Sequence, residues 1–248
     1  MIVSKDNETI KKAKKLLDKK ERLEIGCFLI EGKKLVDDAI KKSIEVSKIF
    51  CTEENFEKYI KFQSNKLEVV SVSHDVIKVL SDTKTNQGVI AIAKRPEAKV
   101  FNQSNCVVLD NVQDPKNVGS IIRTCAGVGI NFVILIDCAD PYSPKAMRAG
   151  MSGQYYVNIL EVDYSWVKEF SKEMLVICTD MQGDNIFNFE VDKNFMLILG
   201  NEGNGISQQL KSLASKTVAV PMINKVESLN VSVSAGIILY QLVNQKWR

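Results

Sequence analysis

Arg123 is the side chain whose setting in this sequence most strongly suggests chemistry. It lies in the segment IIRTCA (121–126), so a guanidinium group is expected within an apolar turn of a helix. A buried or half-buried arginine needs an anionic partner. That partner could be a carboxylate in a structural salt bridge or a phosphate group of a substrate. Asp114 or Asn117, near the start of the same helical pattern, could cap this helix, and capping alone explains Asn117.

Two further segments combine polar side chains with glycines or small residues. GNEGNGIS (200–207) contains three glycines, which suit positive φ angles or a close approach of the backbone to a ligand. Glu202 in its middle disfavours a phosphate-binding loop, and a tight turn before a helix is an alternative interpretation. In VPMINKVESLNVSVSAGIILYQL (220–242), Ser228 or Asn230 can cap the final helix.

Several kinds of chemistry are disfavoured by what the sequence lacks. His74 is the single histidine, whereas most catalytic zinc sites use more than one and a Ser-His-Asp triad depends on one. The six cysteines include no C-x-x-C pair and are predicted to be reduced, mostly buried thiols. Neither G-x-x-x-x-G-K-[ST] nor a complete G-x-G-x-x-G after a strand is present. We therefore expect no metal, no phosphoryl transfer and no dinucleotide chemistry.

The second half of the chain alternates strand-like and helical patterns. Apolar runs occur at 106–110, 132–136, 174–179, 195–200 and 217–221, and helical patterns near 117–128, 163–172, 205–214 and 229–246. Runs that are apolar on both faces and separated by helices predict a parallel sheet covered on both sides. Ligands bind beyond the carboxyl ends of such strands. The loops after residues 110, 179, 200 and 221 are therefore the expected site.

The first half predicts a separate, smaller α/β domain. Its strand-like runs are 27–30, 46–50, 67–72 and 88–93, with helical patterns over 32–42, 53–62 and 74–80. A polar stretch containing Pro96 follows and is typical of a linker. We predict a first domain over 1–95, a linker over 96–104 and a second domain over 105–248.

Charge is distributed unevenly between the two halves. Residues 1–98 hold 20 Lys and Arg against 16 Asp and Glu, and the whole chain has a net charge of +3. The apolar residues Ile10, Ala13, Leu16 and Leu17 recur at helical spacing among lysines, which predicts a basic amphipathic helix at the start. Such a helix either contacts a polyanion or is a solvated face. No apolar stretch reaches the ~18–20 residues of a membrane span and no signal-peptide core is present, which predicts a soluble, cytoplasmic protein.

Taken together, three segments resemble the motifs of a known family. NVGSIIRTCAGVGI, LILGNEGNGIS and VPMINKVESLNVSVSAGIILYQL resemble the three motifs of the SpoU (TrmH-like) RNA ribose methyltransferases of the SPOUT superfamily in order, spacing and placement after strands. The first half resembles the ribosomal-protein-like substrate-binding domain of many members, through FLIEGKKLVDDAI (28–40) and NQGVIAIA (86–93). Cys125 departs from the family pattern, in which alanine is commoner.

The resemblance implies transfer of a methyl group from S-adenosylmethionine to a ribose 2′-OH, without a metal. It implies a parallel-sheet domain with a deep trefoil knot, preceded by an RNA-binding domain, and a homodimer through the methyltransferase half. It places catalytic and substrate-positioning roles on Asn117, Arg123, Glu202, Ser228 and Asn230. It places the cofactor beside Thr179, Gly200, Val220, Met222 and Leu229. For RNA binding we name Lys11, Lys12, Lys15 and Lys19 of the basic segment.

Three alternatives and one question of mechanism stay open at this point. The two-domain layout favours ribosomal RNA over transfer RNA as the substrate. A non-catalytic RNA-binding factor of ribosome assembly and a small-molecule α/β enzyme are the rival functions. Arg123 could act as the base that removes the 2′-OH proton, as is proposed for the family. It could instead stabilise the developing alkoxide and hold a phosphate, which suits a guanidinium group because arginine is normally protonated.

Overall fold

The computed structural model describes residues 1–224 and 228–244 and divides the chain into two compact units. The first comprises Met1–Glu97 and Tyr142–Tyr155, and the second comprises Ala98–Pro141 and Tyr156–Arg248. The predicted boundaries place Tyr142–Tyr155 in the second domain, whereas the contacts of this segment lie within the first unit. Among the described residues, no helix is both long enough and apolar enough to span a bilayer.

The first unit is a four-stranded mixed sheet with helices. Its strands are β1 (Cys27–Glu31), β2 (Val46–Cys51), β3 (Glu68–Ser71) and β4 (Val89–Lys94), in the order β1-β4-β2-β3. Strand β4 is antiparallel to β1 and β2, and β2 is parallel to β3. Its helices are α1 (Glu8–Lys15), α2 (Lys19–Ile25), α3 (Lys33–Lys41), α4 (Glu53–Ile60), α5 (His74–Leu80) and α7 (Pro144–Gly150).

The basic segment at the start forms two helices rather than the single helix that the apolar spacing predicts. Asp18 ends the first run because its Oδ1 accepts hydrogen bonds from the backbone N–H groups of Lys20 and Glu21, which caps α2. Ile10 and Leu16 are buried as the periodicity predicts. Lys11, Lys12 and Lys15 therefore lie on α1, whereas Lys19 begins α2.

The second unit is a six-stranded parallel sheet flanked by helices. Its strands are β5 (Cys106–Asp110), β6 (Phe132–Ile136), β7 (Asn158–Glu161), β8 (Leu175–Asn185), β9 (Phe195–Leu199) and β10 (Lys216–Ala219), in the order β10-β8-β9-β5-β6-β7. Its helices are α6 (Pro115–Val128), α8 (Tyr164–Phe170), α9 (Gln208–Lys211) and α10 (Val231–Asn244). Every neighbouring pair of strands is parallel, as predicted. Strands β5, β6 and β9 are buried throughout, because their residues are apolar on both faces.

Strand β8 is longer than the predicted run and carries a large irregularity. Its pairing with β10 passes from Thr217↔Cys178 to Val218↔Asp184, so the residues from Thr179 to Gly183 have no counterparts on β10. A Cβ atom on Gly183 would lie 2.5 Å from the carbonyl carbon of Val218, so this close approach of two backbones requires glycine. The bulge lies where the sequence predicts a ligand site, after residue 179.

Candidate functional site

The order of the strands brings the predicted site loops to one edge of the second unit. Strands β10, β8, β9 and β5 are consecutive neighbours and run in the same direction, so their carboxyl ends meet at that edge. Helix α6 begins five residues after β5, and the glycine-rich segment 200–207 follows β9 directly. Segments from three distant parts of the chain therefore converge on this edge.

A chain of side-chain hydrogen bonds joins three of the five predicted catalytic residues. Asn117 Nδ2 donates to Glu202 Oε1 at 2.6 Å, and Asn230 Nδ2 donates to Asn117 Oδ1 at 3.0 Å. The backbone N and the Oγ of Ser232 donate to Asn230 Oδ1 at 2.9 and 2.6 Å. Because Asn230 Oδ1 is occupied by Ser232, its amide hydrogens face Asn117, and those of Asn117 in turn face Glu202. The network thus holds Glu202 as a hydrogen-bond acceptor.

Helix capping accounts for Asn230 but not for Asn117. Asp114 is the N-cap of α6, and its Oδ1 accepts from Lys116 N at 2.8 Å, which leaves the side chain of Asn117 free for the network. Asn117 is only 7% exposed, so its amide needs hydrogen-bond partners. Asn230 both caps a helix and belongs to the network. Its side-chain oxygen Oδ1 caps α10, and its Nδ2 group donates to Asn117.

Arg123 is exposed, so the sequence-based expectation of a buried or half-buried side chain is wrong. Ile121, Ile122 and Cys125 face the core, but each residue turns about 100° around the helix, which points position 123 outward. Six residues separate Arg123 from Asn117, which places the two on different faces of α6. No carboxylate within the described ranges pairs with Arg123, so the structural salt bridge is not observed there. An anion supplied from outside the chain is consistent with this geometry.

Among the described residues, the network does not include Ser228 or the predicted cofactor residues. Ser228 is exposed and lies next to residues 225–227, which are outside the described part of the chain. Thr179 lies within β8, where the regular pairing with β10 is interrupted, and Gly200 and Val220 directly follow β9 and β10. Gly200 is buried, whereas Thr179, Val220 and Leu229 are half-buried and Met222 is 39% exposed.

The glycine-rich segment is a closed turn held to the end of β5. Asn201 N and O bond with Gly205 O and N at 3.1 and 2.9 Å, and Asn201 Nδ2 donates to Asn111 O at 2.8 Å. A Cβ atom on Gly200 would lie 2.3 Å from the carbonyl carbon of Gly205, and Gly205 itself has φ +67°. The close backbone approach that the glycines allow is therefore made by the turn itself.

One ion pair lies at the bulge in β8, and several cysteine thiols elsewhere in the chain and on β8 are buried. Lys211 Nζ lies 2.9 Å from Asp180 Oδ2, and this contact lowers the pKa of Asp180. Burial raises the pKa of the Cys51, Cys138 and Cys178 thiols to about 11. All six cysteines are free, and each is buried or half-buried. In the described ranges, no group of three or more His, Cys, Asp or Glu side chains could hold a metal ion.

The residues at this edge of the sheet fit S-adenosylmethionine. This cofactor needs apolar surface and backbone hydrogen-bonding groups rather than a cluster of charged side chains. Val220 and Leu229 offer half-buried apolar surface. The bulge Thr179–Gly183 departs from the regular pairing of β8 with β10, at the edge of the sheet where a ligand is expected.

Sequence reasoning missed Asp110, Asn201 and Ser232. Asp110 is 1% exposed at the end of β5, where it accepts hydrogen bonds from Tyr164 and from Ser207. An acidic residue that closes an otherwise apolar strand is a signal that could have identified it. The roles of Asn201 and Ser232 depend on hydrogen bonds between neighbours within a loop and a cap, which residue type alone does not show.

The fold and the site define a two-unit α/β protein whose candidate site lies in the second unit, at the carboxyl ends of the strands of a parallel sheet. Comparison with known proteins is more specific. The chain belongs to the SpoU rRNA methylase family, whose family model matches residues 104–240, and residues 7–91 match the MRM3-like substrate binding domain. The predicted family and the predicted two-part α/β fold class are thereby confirmed, and the chain is an RNA methyltransferase of the SpoU family.

Individual proteins are similar to this chain over different shares of its length. The 23S rRNA (guanosine(2553)-2′-O)-methyltransferase RlmP of Bacillus subtilis is 32% identical over 97% of this chain and 98% of its own length. The AdoMet-bound rRNA methyltransferase of Sinorhizobium meliloti superposes with a TM-score of 0.88 at 26% identity, covering 97% of this chain and 95% of that one. The TrmH/SpoU tRNA modifying enzyme of A. aeolicus, at 28% identity and TM-score 0.52, covers only 59% of this chain and 77% of its own.

Proposed function

We propose that this protein transfers the methyl group of S-adenosylmethionine to a ribose 2′-OH of ribosomal RNA. The observation that carries the proposal is the network that joins Asn117, Glu202 and Asn230 at the carboxyl edge of the sheet. These are side chains of all three family motifs, brought together from positions up to 113 residues apart. The cofactor would supply an electrophilic methyl group, and the chain's own residues would bind and orient the substrate.

The geometry supports distinct tasks for the polar residues. Asn117 holds one oxygen of the Glu202 carboxylate, so the exposed second oxygen can accept a hydrogen bond from a substrate group. Arg123, a permanent cation exposed on α6, suits an RNA phosphate or the developing alkoxide. Such positioning accelerates an in-line displacement without a metal. Ser228, exposed beside the network, completes the proposed catalytic set, and Thr179, Gly200, Val220, Met222 and Leu229 complete the proposed cofactor set.

Ribosomal RNA is favoured over transfer RNA as the substrate because the rRNA enzymes match more of this chain than the tRNA enzyme does. The rRNA methyltransferases of Bacillus subtilis and Sinorhizobium meliloti match both units, whereas the tRNA modifying enzyme of A. aeolicus covers 59% of the chain. An additional substrate-binding unit is therefore shared with rRNA enzymes. A non-catalytic assembly factor is disfavoured because the motif side chains are present and three of them form one network.

The first unit is the proposed RNA-binding element, with α1 and the start of α2 as its basic surface. Lys11 and Lys15 are partly neutralised, since Lys11 lies 3.6 Å from Glu8 and Lys15 lies 3.7 Å from Glu21. Lys12 and Lys19 are exposed and pair with no carboxylate of the described chain. These two lysines are therefore better placed to contact RNA phosphates.

A homodimer through α10 is the proposed assembly. Ala235, Ile238 and Leu239 of this helix are buried in the second unit, whereas Val233 and Tyr240 are exposed. A Cβ atom on Gly236 would meet nothing within 4 Å, so this part of the helix is open to close approach. A Gly236→Trp variant should shift sedimentation toward the monomer while far-ultraviolet circular dichroism is kept. A wild-type chain that sediments as a monomer at micromolar concentration would refute the assembly. The trefoil knot and a cytoplasmic location likewise stay proposals.

Mapping of 2′-O-methyl groups in RNA tests the function directly. Ribosomal and transfer RNA are compared from cells with the gene, cells without it, and cells that carry the Asn117→Ala variant. We expect one ribosomal position to lose its methyl group in both mutant strains. A methyl group restored by Asn117→Ala would contradict the catalytic role of the network, and a loss confined to transfer RNA would favour the alternative substrate.

A further inference from the structure

Asp110 is a buried carboxylate that neither the sequence motifs nor the catalytic network includes. It ends β5 after four apolar residues and is 1% exposed. Tyr164 Oη donates to its Oδ1 at 3.1 Å, and the backbone N–H of Ser207 donates to its Oδ2 at 2.6 Å. Burying a carboxylate is costly unless hydrogen bonds compensate it, and an apolar side chain would pack there at lower cost. A carboxylate retained in this place indicates a specific use.

The bond to Ser207 ties the turn that carries Glu202 to the end of β5. Asn201 Nδ2 donates to Asn111 O at 2.8 Å near the start of this turn, and Ser207 is held by Asp110 at its end. Both attachments therefore lie on two consecutive residues at the carboxyl end of β5. The same strand end leads through the short connection 111–114 into α6, which carries Asn117.

We infer that Asp110 is a positioning residue that sets the distance between Glu202 and Asn117. This inference rests on the proposed function. Asp110 acts through Ser207 and the turn, and it contacts neither Glu202 nor Asn117. The task requires a hydrogen-bond acceptor of the right shape at position 110 rather than a negative charge. Asparagine can accept from Ser207 N and donate to Tyr164 Oη, so it should perform the task, whereas alanine or valine should not.

The bond between Asn117 and Glu202 can be observed directly in the full-length protein. The side-chain amide resonance of Asn117 is assigned by its loss in Asn117→Ala, and its shift and hydrogen exchange report the 2.6 Å bond to Glu202. In Asp110→Ala we expect the resonance to move to the position of a solvent-exposed asparagine. In Asp110→Asn it should stay at the wild-type position. Should the alanine variant fail to fold, Asp110→Val fills the same space without an acceptor and should give the same displacement.

Asn105→Ala is the matched control for loss of a side-chain to backbone bond on the same sheet. Asn105 Oδ1 accepts from Phe195 N at 3.0 Å just before β5, at the opposite end of the strand from Asp110. This variant should lower the free energy of unfolding and leave the Asn117 resonance unchanged. A displaced resonance in Asn105→Ala would show that general destabilisation, and not position 110, governs the network, which would overturn the inference.

Kinetics with S-adenosylmethionine and ribosomal RNA provide the second measurement. We expect Asp110→Ala to lower kcat about 100-fold, the usual cost of displacing a reacting group by about 1 Å, with the KM for the cofactor within ~3-fold of wild type. Asp110→Asn should keep kcat within ~3-fold. Equal loss in the alanine and asparagine variants would overturn the positioning role, because charge would then be the requirement. If the wild type transfers no methyl group, the proposed function fails, while the Asn117 resonance still decides the role of Asp110.

Discussion

Gly200→Ala adds a single methyl group to the candidate site, and the structure predicts that it strongly lowers stability and cofactor affinity. The new Cβ atom would lie 2.3 Å from the carbonyl carbon of Gly205 and 2.4 Å from the backbone nitrogen of Ile206. Both are backbone atoms, so no side-chain rotation relieves the overlap. Restoring a normal contact requires the turn to open by about 1 Å, which breaks the two hydrogen bonds between Asn201 and Gly205.

The expected cost of Gly200→Ala follows from those two effects. Each broken hydrogen bond contributes about 1 kcal/mol and the residual overlap a further 1–3 kcal/mol, partly offset by the lower entropy of the unfolded chain. We expect the free energy of unfolding in urea to fall by about 2–4 kcal/mol. Binding of S-adenosylmethionine, measured by calorimetry, should weaken at least tenfold, since the opened turn displaces the peptide groups proposed to hold the cofactor.

Gly203→Ala in the same turn is the matched control. Its Cβ atom would meet only Asn201 Oδ1, at 3.5 Å, which is an ordinary contact, and its φ is not positive. Stability and cofactor affinity should therefore stay within about 0.5 kcal/mol of the wild type. Equal behaviour of the two alanine variants would refute the reasoning about the turn. A Gly200→Ala variant that is destabilised but binds the cofactor normally would remove Gly200 from the cofactor site.

Three further predictions concern the cation on α6, the basic surface and the thiols. Arg123→Ala should abolish methyl transfer and leave cofactor affinity within a few-fold of the wild type. Arg123→Lys should be nearly as inactive, because a point charge does not replace the planar guanidinium group. Loss of cofactor binding in a folded Arg123→Ala variant would contradict this role. Replacing Lys12 and Lys19 by Gln should reduce the slope of log K for RNA binding against log salt by about 1.4–1.8, and the same change at the ion-paired Lys11 and Lys15 should reduce it less; equal slopes would argue against this surface. At pH 8 a thiol reagent should modify the folded protein slowly, because burial raises the thiol pKa values, and should modify all six cysteines rapidly in urea.

Strands β5 and β6 could be predicted to the residue, and the edge of the sheet could not. Strands β5 and β6 match the predicted runs because both faces are buried and their sequences are continuously apolar. Strand β7 was missed because it is a four-residue edge strand with no fully buried position, so its sequence NILE carries no clear periodicity. Helix α7 was missed for a related reason, since seven residues give too few turns for an apolar stripe.

The candidate site was predicted in its residues but not in its hydrogen bonds. The motifs identify Asn117, Glu202 and Asn230, yet nothing in the sequence shows that the Asn230 amide donates to Asn117 across 113 positions, or that the Asn117 amide donates to the Glu202 carboxylate across 85. The burial of Arg123 was predicted wrongly, because apolar neighbours in sequence occupy different faces of a helix. Asp110 was not recognised, since its importance depends on a turn nearly one hundred residues later.

The most direct test of the account is methyl transfer by the purified full-length protein with defined chemistry of the product. Ribosomal RNA that lacks the modification is incubated with methyl-labelled S-adenosylmethionine, digested to nucleosides and analysed by mass spectrometry. We expect label in a single 2′-O-methylnucleoside, dependent on Asn117 and Arg123 and unchanged by a metal chelator. Label on a base, or cofactor binding without any transfer to ribosomal RNA, would contradict it.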